Sequence, residues 1–402
     1  MNRNPAFIGA EEDGDNHSNA GQNRAARIAW FLGPRSSSWN GVSQHSLVMI
    51  DALRANGDFI VDTIEIPAEA RSFMRYWWQL VLYPIRALRV ARTHEIVVLY
   101  QEDLSFLIPF VRVAGGRVCI IFHHVQRRGQ ARNVIEVIKS MYISRLQPLA
   151  ATADLIFAPS HSTAREISQT LEVKTNRLHV VPNPFDNRYE SATTHSQPVV
   201  KLKARATLLH RFGIAMGDAF VLLNVGSDET RKNNITLLHA LARLARKDVM
   251  LIRVGNPINR SNRAECRRIA DESNLNVCFI DKIDAEDLRD FYHAASVYVS
   301  PSIQEGFGRT VIEAQMAGLP VIASDLPVYR DTMGISFLAV GEPTNPEAWA
   351  TAINQLASDR LLASRLTEQG RENSRRFSSD VVAAILDSKL RGLIAEGRAC
   401  IR

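Results

Sequence analysis

The sequence predicts an α/β protein with two doubly wound parallel sheets that face one cleft. Two series of short apolar runs alternate with helical patterns, and one polar stretch separates the two series. Each run is apolar throughout rather than alternating, which is typical of strands buried on both faces of a parallel sheet. Ligands of such sheets bind outside the carboxyl ends of the strands, so the cleft is the predicted ligand site.

The first series of runs predicts one domain over residues 27–195. A helical pattern over Ser46–Arg54 follows the first strand, and this alternation indicates β-α units rather than hairpins. The strand candidates are Arg27–Leu32, Phe59–Ile64, Ile96–Tyr100, Val118–Phe122, Asp154–Ala158 and His179–Pro182.

The second series predicts another domain over residues 196–376. Helical patterns occupy Leu237–Arg246 and Thr310–Ala317. The polar stretch Asn183–Arg205, which contains two prolines, is predicted to be a linker between the domains. The strand candidates are Phe220–Val225, Met250–Val254, Val277–Ile280, Val297–Ser300 and Val321–Ser324.

Composition excludes several classes of protein. A chain of 402 residues suggests two or three domains, and 46% hydrophobic with 22% charged residues excludes collagen, coiled coil and wholesale disorder. The four cysteines are far apart, which favours a reducing compartment. Residues 1–26 are polar and are predicted to be a disordered tail without a signal peptide. No uncharged apolar run reaches about 18 residues, so we expect no spanning helix. The expected location is cytoplasmic, in keeping with a reducing compartment.

Basic charge is concentrated in the first half of the chain. The net charge of the chain is +6, yet Arg71–Arg145 alone holds twelve basic and four acidic residues, a net of +8. Within it, Arg71–Arg92 combines arginines with Trp77 and Trp78, which is typical of a helix lying in a membrane surface but also fits a helix packed in a core. We expect peripheral contact with an anionic membrane, on the inner face of the plasma membrane, and no nucleic-acid partner.

A glycine-rich loop after the strand Val297–Ser300 is the strongest candidate site. Glycines in front of a helix let backbone amides approach an anion, and the helix dipole favours negative charge there. The loop and the following helix therefore predict a phosphate site. Its expected contacts are Gly306, Phe307, Gly308, Thr310 and Val311, with Glu305 and Glu313 directed into the same cleft.

The string Pro-Ser-x-x-Glu-Gly-Phe-Gly-x-x-x-x-Glu-Ala, followed by Gly-x-Pro-Val-Ile-Ala-Ser, resembles the E-x7-E motif of the family 4 retaining glycosyltransferases. The resemblance covers roughly residues 27–390 and implies the GT-B fold. It implies that Glu313 binds the nucleotide ribose and that Glu305 lies beside the donor sugar as a catalytic residue. It also implies an acceptor domain before the linker, a donor domain after it, and a helix over 377–402 that crosses back to the first domain.

A basic turn follows the strand Phe220–Val225. A strand-end glycine, Gly226, precedes Arg231 and Lys232, which can bring positive charge to a diphosphate. Lys232 matches the family lysine in its spacing from Gly226, whereas Ser227 stands where the family usually has arginine. The Arg-Lys-Asn string resembles members that use GDP-mannose, so the donor is expected to be a GDP- or UDP-linked sugar.

Two positions in the first domain are expected to face the donor. Gly41 lies in the loop before the first helix, where a glycine allows close backbone approach, although Asn40 stands where the family usually has a second glycine. His123 follows the strand Val118–Phe122 at the edge of the cleft. The resemblance places this histidine near the donor sugar, as a second catalytic residue.

No metal site and no cofactor are expected. The only Asp-x-Asp, Asp13-Gly-Asp15, lies in the polar tail rather than at a strand end. Basic residues and helix amides are then expected to stabilise the leaving diphosphate. The resemblance implies a metal-independent retaining glycosyltransferase that modifies a polysaccharide or lipid-linked saccharide. The alternatives are a sugar-nucleotide epimerase of similar shape and a non-enzymatic basic membrane-binding module.

Overall fold

The computed structural model describes residues 25–34, 41–55, 57–67, 73–123, 144–185, 189–190, 197–244, 246, 248–281 and 283–400. These residues form two parallel sheets of six strands with flanking helices. The predicted fold class is therefore confirmed. The predicted tail lies outside the described residues except for its last two positions.

The first sheet has the strand order β2-β1-β3-β4-β5-β6. Every residue of β3, β4 and β5 is buried, as the unbroken apolar runs indicated. Its strands are β1 (Ala26–Pro34), β2 (Phe59–Ile66), β3 (Ile96–Leu99), β4 (Val118–Ile121), β5 (Leu155–Ala158) and β6 (Leu178–Val180). Its helices are α1 (Gly41–Ala55), α2 (Phe73–Trp77), α3 (Tyr83–Val90), α4 (Ile108–Val113) and α5 (His161–Leu171), with a further helical stretch at 144–150.

The second sheet has the order β12-β11-β10-β7-β8-β9. Its strands are β7 (Phe220–Val225), β8 (Val249–Val254), β9 (Val277–Ile280), β10 (Val297–Ser300), β11 (Val321–Ser324) and β12 (Leu338–Val340). Its helices are α6 (Gln197–Phe212), α7 (Asn234–Ala242), α8 (Arg260–Glu272), α9 (Ala285–Ala294), α10 (Arg309–Met316), α11 (Pro327–Met333), α12 (Pro346–Ser358) and α13 (Arg360–Ser374).

The predicted linker is wrong in its second half, because α6 begins at Gln197. Pro198 occupies the first turn of this helix, where the missing N–H has no intrahelical partner to lose. The helix is held by Leu208, which is fully buried, and by Arg205, which donates to the carbonyl oxygen of Ala294 at 3.1 Å. Tertiary packing therefore orders a stretch whose composition is typical of a loop.

The basic aromatic segment forms α2, a π-helical turn over Trp78–Leu82, and α3. The turn ends at Leu82, and Pro84 lies in the first turn of α3, where no backbone N–H is needed for the helix. Tyr83 is fully buried, and its hydroxyl lies 2.6 Å from the carbonyl oxygen of Leu32. One face of the segment is thus packed on the first domain. None of the helices in the described part of the chain has the length and apolar composition needed to cross a membrane.

The chain crosses between the two domains at two points that are bonded to each other. The backbone N–H of Phe185 donates to the carbonyl oxygen of Phe377 at 2.9 Å, and that of Ser379 donates to the carbonyl oxygen of Phe185 at 3.1 Å. A last helix, α14 (Ser379–Cys400), then returns to the first domain. Its Leu386 and Leu390 are fully buried in the core of that domain.

Candidate active site

The loop between β10 and α10 is held open by a glycine that no other residue can replace without strain. Gly308 has φ = 86° and forms the N-cap of α10. A Cβ at this position would lie 2.5 Å from Cε1 of Tyr329, a fully buried ring. The helix can therefore begin here only because this residue has no side chain.

Glu305 lies in this loop as a nearly buried carboxylate with several donors. Its side chain is 10% exposed and forms ion pairs with Lys232 and, at 3.4 Å from Oε2, with Arg231. The Ser302 hydroxyl donates to Oε1 at 2.9 Å. Burial raises the pKa of Glu305, but the charges of Lys232 and Arg231 outweigh it and hold this pKa below its usual value. Glu305 is therefore an ionised group that three neighbouring side chains contact.

The basic turn after β7 is tied directly to the Glu305 loop. Arg231 and Lys232 lie in a short 3₁₀ turn, and the N–H of Ile303 donates to the carbonyl oxygen of Arg231 at 2.8 Å. The Lys232 side chain lies against Gly226, where a Cβ would approach its Cε to 3.4 Å. The structure thus brings together the two motifs that the sequence placed 73 positions apart.

Glu313 occupies a separate, buried position on α10. It is 6% exposed, and the Tyr292 hydroxyl donates to its Oε2 at 2.9 Å. The guanidinium of Arg309 lies 3.7 Å from Oε1. Burial, with the Glu313 carboxylate as the next cause, raises the pKa of Tyr292 well above its usual value, so this phenol stays a donor.

The first domain contributes His123 from the end of β4. Its Nε2 lies 3.1 Å from the carbonyl oxygen of Tyr100, an acceptor only, so Nε2 carries the proton in this contact. Its own carbonyl oxygen faces Gly306, where a Cβ would approach to 3.0 Å. His123 and the Glu305 loop therefore meet across the cleft.

His45 in α1 also lies at this site, although it belongs to none of the sequence motifs. It is 1% exposed, its ring centroid lies 5.3 Å from that of His123, and neither ring nitrogen has a hydrogen-bond partner among the residues that the structure describes. Burial first, then the charges of His123 and Arg309, hold the pKa of His45 well below its usual value. A single histidine on the apolar face of a helix gave no motif to find it by.

The remaining residues that the sequence predicts to contact the nucleotide-sugar donor would do so through their backbone. Phe307 is 4% exposed and stacks on Phe185, so its side chain belongs to the core at the domain crossing. The Val311 amide already donates to the carbonyl oxygen of Gly308 at 3.3 Å. Thr310 is half-buried in the first turn of α10, and Gly41 is the first residue of α1.

Metal-ligating side chains do not cluster in the described part of the chain. No group of three or more His, Cys, Asp or Glu side chains there is placed to hold a metal ion. Asp13 and Asp15 lie outside the described residues.

Two family models match the chain over most of its length. The model described as "Glycosyl transferases group 1" matches residues 209–373, and that described as "Glycosyltransferase Family 4" matches residues 39–189. The chain belongs to the group 1, family 4 glycosyltransferases. This assignment favours a glycosyltransferase over both alternatives that the sequence left open.

Curated relatives of this family 4 chain are similar over part of their length. A D-inositol 3-phosphate glycosyltransferase of Xylanimonas cellulosilytica is 29% identical over 60% of this chain and 57% of its own. The serotype-specific mannosyltransferase WbdA of Escherichia coli is 30% identical over 57% of this chain and 28% of its own. The match therefore spans from about a quarter to just over half of these relatives.

Solved structures share the fold of this family 4 chain. Anabaena HepE in complex with UDP and glucose superimposes with a TM-score of 0.73 at 16% identity, covering 91% of this chain and all of that one. The sucrose-phosphate synthase of Thermosynechococcus elongatus gives 0.72 at 23% identity, covering 92% and all of that chain. These similarities show a common GT-B arrangement.

Proposed function

We propose that this family 4 chain transfers a sugar from a nucleoside-diphosphate donor to a saccharide acceptor with retention of configuration. The observation that carries the proposal is the Glu305 carboxylate, paired with Lys232 in the loop after β10, whose next residue, Gly306, lies against the carbonyl oxygen of His123 of the first domain. This arrangement places positive charge, a carboxylate and residues of both domains around one point of the cleft.

The donor is proposed to lie on the second domain. Lys232 has three N–H donors and uses one on Glu305, so the others can reach the diphosphate as negative charge develops on it. The N-terminal end of α10 adds its dipole, and Glu313 holds the ribose. Mannose from GDP-mannose is the first donor to test, because WbdA, which is 30% identical, is named a mannosyltransferase. UDP-sugars come second, because the HepE structure holds UDP.

Glu305 is proposed to position the donor sugar rather than to attack it. Ser302, Lys232 and Arg231 all contact its oxygens, and its lowered pKa makes it a weak nucleophile. The acceptor hydroxyl then attacks from the face that the diphosphate leaves, and the leaving oxygens take up the proton. Closure of the domains aligns the reactants and excludes water.

The test is transfer by the purified chain from a panel of GDP- and UDP-sugars, with product configuration read by NMR. Lys232→Ala should lower kcat by on the order of 10²–10³-fold, as loss of one charge-stabilising donor does. Arg231→Ala should cost less, because it is 39% exposed and shared with Glu229. Lys203→Ala on the exposed face of α6 is the matched control. No transfer from any donor would contradict the proposal.

Catalysis is proposed to be independent of a metal ion and of any cofactor. The basic groups beside Glu305 supply the charge that a metal would bring to the diphosphate. Transfer should therefore survive excess EDTA, measured with the best donor of the panel. Loss of activity that Mg²⁺ or Mn²⁺ restores would contradict this part of the proposal.

The chain is proposed to work in the cytoplasm, at an anionic membrane, on a polysaccharide or lipid-linked acceptor. The outer face of the α2–α3 segment exposes a row of large apolar side chains, and its neighbour α4 exposes Val113 at 83%. Exposed Arg89 and Arg92 follow the row, and a surface of this kind matches anionic lipid headgroups. The row consists of Met74, Tyr76, Trp77, Leu80, Val81 and Ile85.

Sedimentation with phosphatidylserine-containing vesicles tests this location. Trp77→Ser should weaken binding even at low salt, because Trp77 is 43% exposed. Trp78→Ser should mainly lower the melting temperature, because this ring packs on the core and under Arg86. Leu361→Ser, on α13 and 85% exposed, is the matched control. Equal vesicle binding by Trp77→Ser and wild type would remove the peripheral assignment.

A further inference from the structure

The N-terminal end of α5, in the first domain, is seated on the second domain. The N–H of Ser162 donates to Oδ2 of Asp331 in α11 at 2.8 Å. The Thr163 hydroxyl donates to the carbonyl oxygen of Gly306 at 3.0 Å. Both contacts join the domains, and the second falls one residue after Glu305.

The Thr163 contact is buried and is held in place by the cap of α5. Thr163 is 4% exposed and Ser160 is 3% exposed. Ser160 caps α5 by accepting from the Thr163 N–H, and its hydroxyl lies 3.1 Å from Thr163 Oγ1. The cap fixes the direction in which the Thr163 hydroxyl points, and that direction is the Gly306 carbonyl.

The loop that carries Glu305 is thereby held from two sides. On the second-domain side, Ile303 is bonded to Arg231, and Glu305 is bonded to Lys232. On the first-domain side, Thr163 fixes the Gly306 carbonyl, and the carbonyl oxygen of His123 lies against the same glycine. Gly306 has no side chain to restrict its backbone, so these contacts determine the orientation of its peptide group.

We propose that Thr163 is a positioning residue for Glu305, and that Thr163 and Asp331 together couple closure of the cleft to the placement of this carboxylate. The inference rests on the proposed function, because it assigns Glu305 to the donor sugar. When the domains separate, the Gly306 carbonyl loses its first-domain donors, the Thr163 hydroxyl and the more distant Ser160 hydroxyl at 3.5 Å, and the loop relaxes. When they close, the Asp331 carboxylate lies at the positive end of the α5 dipole, and Thr163 holds the loop that carries Glu305 in place.

The first test separates turnover from binding. Thr163→Val keeps the shape of the side chain and removes the hydroxyl, so kcat should fall by roughly two- to twelve-fold, the worth of one hydrogen bond, with a smaller change in donor KM. Thr163→Ser should restore kcat. The matched control is Thr207→Val, whose hydroxyl donates within its own helix, to the carbonyl oxygen of Lys203.

A double-mutant cycle separates positioning from a general effect on stability. In the Glu305→Gln background, Thr163→Val should cause no further loss of kcat, because both changes act through one carboxylate. Losses that simply add would overturn the positioning role. Wild-type kcat in Thr163→Val would overturn it as well.

Small-angle scattering of the ligand-free chain tests the coupling without any activity. The double variant Thr163→Val/Asp331→Ala should have a larger radius of gyration than wild type. Asp325→Ala, which removes a carboxylate paired with Arg330 of the same domain, should leave it unchanged. Equal radii for double variant and wild type would overturn the coupling. A wild-type chain inactive on every donor would instead overturn the proposed transfer, and the scattering comparison would still decide the coupling.

Discussion

Glu305 and Glu313 have different surroundings although one short segment carries both. Glu305 is bonded to two cations and a hydroxyl, whereas Glu313 is bonded to a buried phenol and lies beside Arg309. The sequence located both carboxylates through one motif. It gave no sign of Tyr292, which lies 21 positions away and reaches Glu313 only because α9 and α10 pack around the same sheet.

Removing the Glu313 carboxylate should weaken nucleotide binding. A charge-assisted hydrogen bond to a ribose hydroxyl is worth about 1.5–3 kcal/mol, so Glu313→Ala should raise the Kd of GDP or UDP by roughly 10- to 150-fold. Glu313→Gln keeps an acceptor for Tyr292 and separates donor binding from packing. Titration calorimetry on folded variants measures the change. An unchanged Kd in both would remove Glu313 from the nucleotide site.

Stability should depend on pH through His45. Its pKa is lowered in the folded chain, so below about pH 6.5 the unfolded chain takes up a proton that the folded chain does not. His45 therefore leaves the free energy of unfolding unchanged above that pH. Below it, this free energy falls with the pH, by at most about 1.4 kcal/mol per unit. His45→Phe should flatten the fall between pH 7 and 5 in urea unfolding, whereas His210→Phe, on an exposed ring, should not. Parallel curves for His45→Phe and wild type would contradict this.

At the scale of elements, the strands were predictable and some helices were not. The buried strands have unbroken apolar runs, which composition alone reveals. The three-residue strand β12 was missed, whereas β6, of the same length, was predicted. The helix α6 was missed because its proline and its polar residues are typical of a loop, and packing against α9 helps to order it.

The start of α10 should be intolerant of any side chain. Gly308→Ala adds a left-handed backbone cost of about 1–2 kcal/mol and a clash with the Tyr329 ring. The control is Gly213→Ala, at φ = 67° with open space around it, which should show the backbone cost alone. Chemical denaturation should therefore find Gly308→Ala the less stable, and calorimetry should find its UDP or GDP binding impaired. Equal losses of stability would show that the ring moves aside freely.

At the scale of the whole molecule, contacts between the domains were beyond prediction. Thr163 and Gly306 are 143 positions apart, and no periodicity within either segment records that they meet. Their residue types are ordinary for a helix cap and a turn. The cleft itself followed from strand order and general rules for parallel sheets, but the particular donors and acceptors that line it required the assembled fold.

The last helix should be part of the first domain in its energetics. Leu390→Ala removes a fully buried side chain from that core and should lower the free energy of unfolding by about 2–5 kcal/mol. Leu361→Ala, at an 85% exposed position, should have almost no effect. Denaturant unfolding followed by circular dichroism measures both. A loss near zero for Leu390→Ala would show that α14 is only loosely attached.

The bonded crossing at Phe185 and Phe377 makes the second domain an insertion within the first. The core that holds Ile28 and Trp30 of β1 is completed by Leu386 and Leu390, which the ribosome adds more than 350 residues later. During synthesis, the whole second domain therefore leaves the ribosome before α14 and can fold first. Until α14 is made, the first domain lacks the side chains that complete its core. The first domain begins earlier in the sequence, but the second domain can complete its fold before it.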